Sequence, residues 1–131
     1  MMQHILVIDN SREILDLFRD ILEAEGYEVS LTESVPTSVR DLDPPHPDLV
    51  ILDCQFGKQQ EARQFVQSME NCRATASIPL ILCSTDLQAV DNLEDYVERQ
   101  HIPVVYKPFD IDELARTVHQ TITPRFTSCG P

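Results

Sequence analysis

The chain has 131 residues, 22 of them acidic and 10 basic, for a formal net charge of −12, and 42% of it is hydrophobic. That length closes a single layered core and leaves no room for a second domain of useful size. The acid excess argues against nucleic-acid or anionic-membrane partners, which require a basic patch to displace counterions.

The acids are unevenly spread, with 12 acids against 3 bases in residues 1–53 and 10 against 7 in residues 54–131. A cation-attracting field is therefore expected around the first half. Eight of the ten bases are arginine, and the two lysines are Lys58 and Lys107. Cys54, Cys72, Cys83 and Cys129 show no CxxC pair or metal-ligand spacing, so reduced thiols are expected. No leader pattern precedes the first apolar run, and no apolar stretch approaches the length of a membrane span. The expectation is a soluble, cytoplasmic protein.

In chain order, Ile5 to Ile8 is a short apolar run without strict alternation, as suits a strand buried on both faces. Residues 11–25 follow with helical spacing at Ile14, Phe18, Ile21 and Leu22. Asn10 and Glu13 stand in capping-box spacing at the start, and Gly26 is the expected stop. Tyr27, Val29 and Leu31 alternate as an edge strand would. A weaker helix is predicted over 35–42, and Pro44, Pro45 and Pro47 mark a loop. Leu49 to Leu52 and Ile78 to Cys83 are two more buried-strand runs. Between them, Ala62, Phe65, Val66 and Met69 define a helix over 61–70. Leu87, Val90, Leu93 and Val97 define another over 87–98, followed by a short strand from Ile102 to Tyr106. The last helix carries Ile111, Leu114, Ala115, Val118 and Ile122 on one face, with Asp110 and Glu113 in capping-box spacing. Residues 124–131 read as a flexible tail behind a domain spanning 1–123.

Five strands alternating with helices predict a single-domain, doubly wound (βα)5 α/β fold with an open parallel sheet. Ligands of such sheets bind at the carboxyl ends of the strands. The groups there are Asp9 and Asn10, then Asp53, then Ser84 and Thr85, then Lys107 before Pro108. Singly, each has an ordinary reading as a cap, a turn residue or a solvated lysine. Together, two carboxylates and an amide oxygen make the hard, oxygen-only site that Mg²⁺ takes while keeping several waters. A hydroxyl and an ammonium opposite complete an anion clamp. An aspartate held between a divalent cation and a lysine can attack a phosphoryl group, which points to a phosphoacceptor site at Asp53.

On the segments HILVIDNSREIL, PDLVILD, IPLILCST and VVYKPFDIDEL, the chain resembles the response-regulator receiver domains of two-component signalling over residues 3–122. The bacterial chemotaxis response regulator is the best-known single-domain member of that family. The resemblance implies the flavodoxin-like strand order 2-1-3-4-5. It also implies phosphorylation of Asp53 by a histidine kinase or histidine phosphotransfer protein. Asp9, Asn10 and the backbone carbonyl of Gln55 would hold Mg²⁺ with Asp53. Ser84 would bond the phosphoryl oxygen, Lys107 would sense it, and the Lys107–Pro108 peptide is often cis in the family. Gln55 and Asp86 match positions that tune water access to the phosphoaspartate; here they either orient that water or cap turns.

Three departures bear on this resemblance. Asn10 replaces an acid that touches the metal, so weaker Mg²⁺ binding is expected. Val104 stands where the family commonly has an aromatic ring that turns inward with the Ser84 and Thr85 region on activation. Tyr106 is read as lying on the opposite side of the strand and so not replacing that ring. The loop CQFGKQQEA after Asp53 has Gly57 where a proline is usual.

The four histidines, His4, His46, His101 and His119, show no ligand spacing. Cys54 is read as packing into the sheet rather than as redox-active. Asp91, Glu94, Asp95 and Glu98 are read as a solvated helix face. The expected function is a stand-alone phosphoacceptor switch, not a turnover enzyme. It would signal to a downstream protein through the face made by the 87–98 helix, the 102–106 strand and the last helix. The alternatives are a pseudo-receiver that binds protein without phosphorylation, favoured by Asn10 and Val104, and, more remotely, a phosphohydrolase using Asp53 as nucleophile.

Overall fold

Strands that are apolar on both sides must be covered on both faces, and the chain supplies a helix layer for each. A computed structural model describes residues 3–33, 47–53, 59–73, 75–84, 93–107 and 109–122, the side chains of 59–61 excepted. Within them run β1 (His4–Ile8), α1 (Arg12–Ala24), β2 (Glu28–Thr32), β3 (Leu49–Asp53), α2 (Gln59–Asn71), β4 (Leu80–Ser84), α3 (Glu94–Gln100), β5 (Val104–Tyr106) and α4 (Ile111–Ile122). The strands form one parallel sheet in the order β2-β1-β3-β4-β5. That is the flavodoxin-like arrangement expected from the sequence. The helix expected over 35–42, the first half of the one over 87–98, and the tail lie outside the described residues.

The two faces of the sheet bury separate cores. Ile5, Val7, Leu49, Ile51, Ile81 and Val105 pack against Leu15, Phe18 and Leu22 of α1 and Leu114, Val118 and Ile122 of α4. On the other face, Ile8, Val50, Leu52 and Leu82 pack against Phe65, Val66 and Met69 of α2 and Leu93 and Tyr96 around α3. Every residue of β3 and β4 is buried, which accounts for their unbroken apolar runs. The alternation at Tyr27, Val29 and Leu31 also holds, since all three belong to the α1 side.

Local details correct the sequence reading at several points. The cap of α1 is Ser11, not Asn10: Ser11 has extended backbone (φ −98°, ψ 115°) and its hydroxyl accepts from the Ile14 N–H. Asp9 fixes this register, because one of its carboxylate oxygens accepts the Ser11 N–H at 2.9 Å. Asp110 does cap α4, accepting from the N–H groups of Asp112 and Glu113. Ile111 is 54% exposed rather than on the buried face of α4. β5 begins at Val104 because Pro103 has no N–H to donate, although its carbonyl still accepts from Leu82.

Gly26 ends the first helical turn-out at φ +94°, with the Tyr27 N–H returning to the Leu22 carbonyl. No atom lies within 4 Å of a Cβ built there. The cost of Gly26→Ala is therefore conformational alone. It should lower unfolding free energy by about 1–2 kcal/mol, read as a lower urea midpoint at unchanged slope.

Candidate functional site

Parallel register delivers the polar groups to one edge of the sheet. Ile8 is level with Leu52, so Asp9 and Asp53 leave neighbouring strands at the same height. Asp53 is level with Cys83, and Ser84 with Tyr106, which places Lys107 one residue further on. Backbone bonds tie the edge together: the Asp9 N–H donates to Thr32 and the Lys107 N–H to Ser84.

Strand alternation then sorts these groups between the two faces. Asp9 continues the parity of Ile5 and Val7, Asp53 that of Leu49 and Ile51, and Lys107 that of Val105. All of those apolar residues belong to the α1–α4 core. Ser84 instead continues Leu80 and Leu82, which belong to the α2–α3 core. The three charges thus share one side, and the hydroxyl stands on the other.

Asp9, Asp53 and Ser84 are all buried, at 1%, 5% and 0% exposure. The Lys107 ammonium donates to Asp9 at 2.7 Å and lies 3.6 Å from Asp53. Burial is the largest single influence on this lysine and acts to lower its pKa. The Asp9 hydrogen bond and the negative charges of Asp53 and Asp9 outweigh it, holding the ammonium above its usual range. Both oxygens of Asp9 are held, one by the Ser11 N–H and the other by Lys107. The sequence offered a sign of that backbone contact, since an Asx residue often accepts from the N–H two positions on.

Asn10 is exposed at the mouth of the site. Val104 is half-buried against the α2–α3 core, and Tyr106 is 44% exposed. Residues 104 and 106 are two apart and face the same side of β5, with Val105 turned to the other core. The reading that put Tyr106 on the opposite side is therefore corrected: it shares the face of Val104, but its ring lies outside. Cys54, Gln55, Gly57, Thr85, Asp86 and Pro108 lie outside the described residues.

The donor set suits a hard divalent ion. Two buried carboxylates lie within reach of one ammonium at a strand edge that also carries an amide, and Mg²⁺ needs only one or two carboxylates besides water. Among the described residues, no group of three or more His, Cys, Asp or Glu side chains could hold a metal. Among those residues, no third acid joins Asp9 and Asp53 in place of Asn10. No helix among the described residues is long and apolar enough to cross a membrane.

Comparison with known proteins agrees with this geometry. Residues 5–119 match the family described as response regulator receiver domain. The phosphate regulon transcriptional regulatory protein PhoB of Escherichia coli is 25% identical over 95% of the chain, which spans 55% of that protein. The adventurous-gliding motility protein Z of Myxococcus xanthus is 23% identical over 99% of the chain, which spans 9% of it. The chain therefore covers about half of one relative and a small part of the other. A CheY-like receiver domain structure from Methanospirillum hungatei superimposes with a TM-score of 0.80 at 17% identity, covering 98% of this chain and 99% of that one.

The raised Lys107 pKa fixes the sign of a pH effect. A group whose folded pKa exceeds its unfolded value stabilises fully below the unfolded value, 10.5 here, and loses that contribution as pH climbs through the folded one. With chelator present, Lys107→Met should cost about 3 kcal/mol at pH 7, as expected when one partner of a buried pair is removed. The gap to wild type should close above pH 10.5. Urea titrations of both proteins across that range check this, and a pH-independent gap would refute it.

Proposed function

The chain belongs to the response regulator receiver domain family, and we propose that it works as a phosphoacceptor switch in which Asp53 takes the phosphoryl group. Receiver domains interact with histidine kinases or phosphotransfer proteins, and such a protein is the proposed donor. The observation that carries this reading is the buried Asp53 carboxylate, 3.6 Å from an ammonium whose closer partner is Asp9. A carboxylate oxygen of Asp53 attacks phosphorus as the bond to the donor's histidine nitrogen breaks. That nitrogen keeps the electron pair, and an acyl phosphate forms.

Lys107 turns from Asp9 towards the new phosphoryl oxygens, and Ser84 offers its hydroxyl from the opposite face. Burial makes both contacts stronger than they would be in water. Receiver domains generally bind Mg²⁺. Here Asp9, Asp53, Asn10 and the Gln55 carbonyl would hold it, and it would neutralise charge on the transferring oxygens. Gln55 and Asp86 would set how water reaches the phosphoaspartate. The product signals through protein contacts rather than by turning over a substrate.

Incubation with a small phosphodonor and Mg²⁺, followed by intact-mass measurement, tests the reading. One phosphoryl adduct is expected, absent in Asp53→Ala. No adduct on wild type would favour a phosphorylation-independent binding module, and steady turnover of a phosphate ester would favour an enzyme.

Asn10 adds a second expectation. An amide oxygen brings no formal charge, so Asn10→Asp should tighten Mg²⁺ binding at least fivefold in a calorimetric titration. Equal affinities would remove Asn10 from the metal site.

A further inference from the structure

Helix α3 has little to hold it by itself. Seven residues fall well short of a self-sufficient helix. Its N-cap, Leu93, provides no side-chain bond, and it closes on His101 in the left-handed region at φ 55°, which a residue with a Cβ adopts reluctantly.

What α3 lacks internally, α2 supplies. Arg63 of α2 makes a bidentate pair with Asp95 of α3, at 3.1 and 3.0 Å. In the reverse sense, Arg99 of α3 reaches both carboxylate oxygens of Glu70 on α2, at 3.2 and 3.0 Å, and the Gln100 amide also donates to Glu70. The two guanidinium carbons lie 5.0 and 4.9 Å from the centre of the Tyr96 ring, within cation–π range. Tyr96 itself is 5% exposed. Lone exposed ion pairs contribute little. This set is reciprocal, partly bidentate and built around one buried ring, so a displacement of α3 from α2 strains both pairs together.

Its position gives the set a consequence. α2 begins six residues after Asp53, and α3 is the next described helix after Ser84. Tyr96 belongs to the core on the face that Ser84 shares. Val104, packed on that same core, has no ring to signal the state of the site.

We propose that Arg63, Glu70, Asp95, Tyr96 and Arg99 form an ionic latch that holds α3 against α2 and restrains phosphorylation of Asp53. The proposal rests on the phosphoacceptor reading. In the latched form the Lys107 ammonium lies closer to Asp9, at 2.7 Å, than to Asp53, at 3.6 Å. Releasing α3 frees the face on which Ser84 stands and shifts the population towards the form that accepts the phosphoryl group. The Arg63–Asp95 half of the latch persists into acid. The hydrogen bond from Arg63 holds the Asp95 carboxyl below its usual range, so the pair keeps its charge until the pH falls through that lowered value.

The test uses the full chain with Arg63→Gln, Arg99→Gln and the double variant, and Arg19→Gln of α1 as a surface control. Amide exchange at Val97 and Ile102 should rise at least tenfold in the double variant and stay unchanged in the control. Phosphorylation of Asp53 by a small donor should rise two- to fivefold. Wild type in 1 M NaCl, where screening reaches only about 3 Å, should move the same way without any substitution. Arg63→Asp and Asp95→Arg should each loosen α3 alone and restore it when combined.

Unchanged exchange in the double variant and in salt overturns the latch. Faster exchange with an unchanged phosphorylation rate overturns its control of Asp53. If wild-type Asp53 takes no phosphoryl group, the acceptor reading falls and the control of Asp53 falls with it. The exchange measurements then decide alone whether the latch holds the helix.

Discussion

One ammonium compensates two buried carboxylates, and the edge of the sheet is arranged around that requirement. Asp9 and Asp53 are nearly inaccessible to water, and an uncompensated buried charge is too costly to keep. Lys107 supplies the counter-charge from 98 positions further along the chain than Asp9. It can do so only because β5 pairs with β4 in a register that sets Tyr106 beside Ser84. A slip of one residue would turn the ammonium to the other face and take its counter-charge from both acids. The fully buried β3 and β4, with their two apolar cores, are what forbid that slip.

The distribution of polar groups across the sheet separates charge from mechanics. Asp9, Asp53 and Lys107 share the side covered by α1 and α4, where Phe18 packs against Phe109 at 5.3 Å between ring centres. Ser84, Val104 and Tyr106 belong to the side covered by α2 and α3. A change in the charge on Asp53 is therefore felt first by a lysine on one face. Any consequence for α3, as proposed above, would have to pass through the strand edge to the other. Val104, half-buried on that face, has no ring with which to carry such a message by rotating. The helix on that side is instead held by ion pairs and a shared aromatic ring, which break over a narrow range of displacement.

The sequence was most informative where physics leaves few choices. Strands buried on both faces must be apolar throughout, so Leu49 to Leu52 and the run after Pro79 announced themselves, and five strands in all with helices between left one sensible architecture. Ends of parallel strands share an edge, which is why Asp9, Asp53, Ser84 and Lys107 could be grouped before any coordinates. Caps were harder. Asn10 and Ser11 are both good cap residues, and only the Asp9 contact to the Ser11 N–H decides between them. The misplacement of Tyr106 was an error of parity, not of pattern. Tyr96 and its two arginines were illegible for a different reason. Periodicity reports which face of a helix is apolar, but not which charged residues 29 and 32 positions apart will meet across two helices.

The sparse lysines and the missing acid at position 10 belong to one electrostatic argument. Two carboxylates and one ammonium leave the resting site with one negative charge, where an acid at position 10 would leave it with two. A divalent ion reverses that sign, which favours an incoming phosphoryl group. Converting Asp53 to an acyl phosphate replaces its single charge with roughly two and returns the set to near neutrality. With an aspartate at position 10 the loaded site would stay negative. On the proposed phosphoacceptor reading, an amide at position 10 would thus lower both the attraction for a divalent ion at rest and the charge that the phosphorylated site must carry.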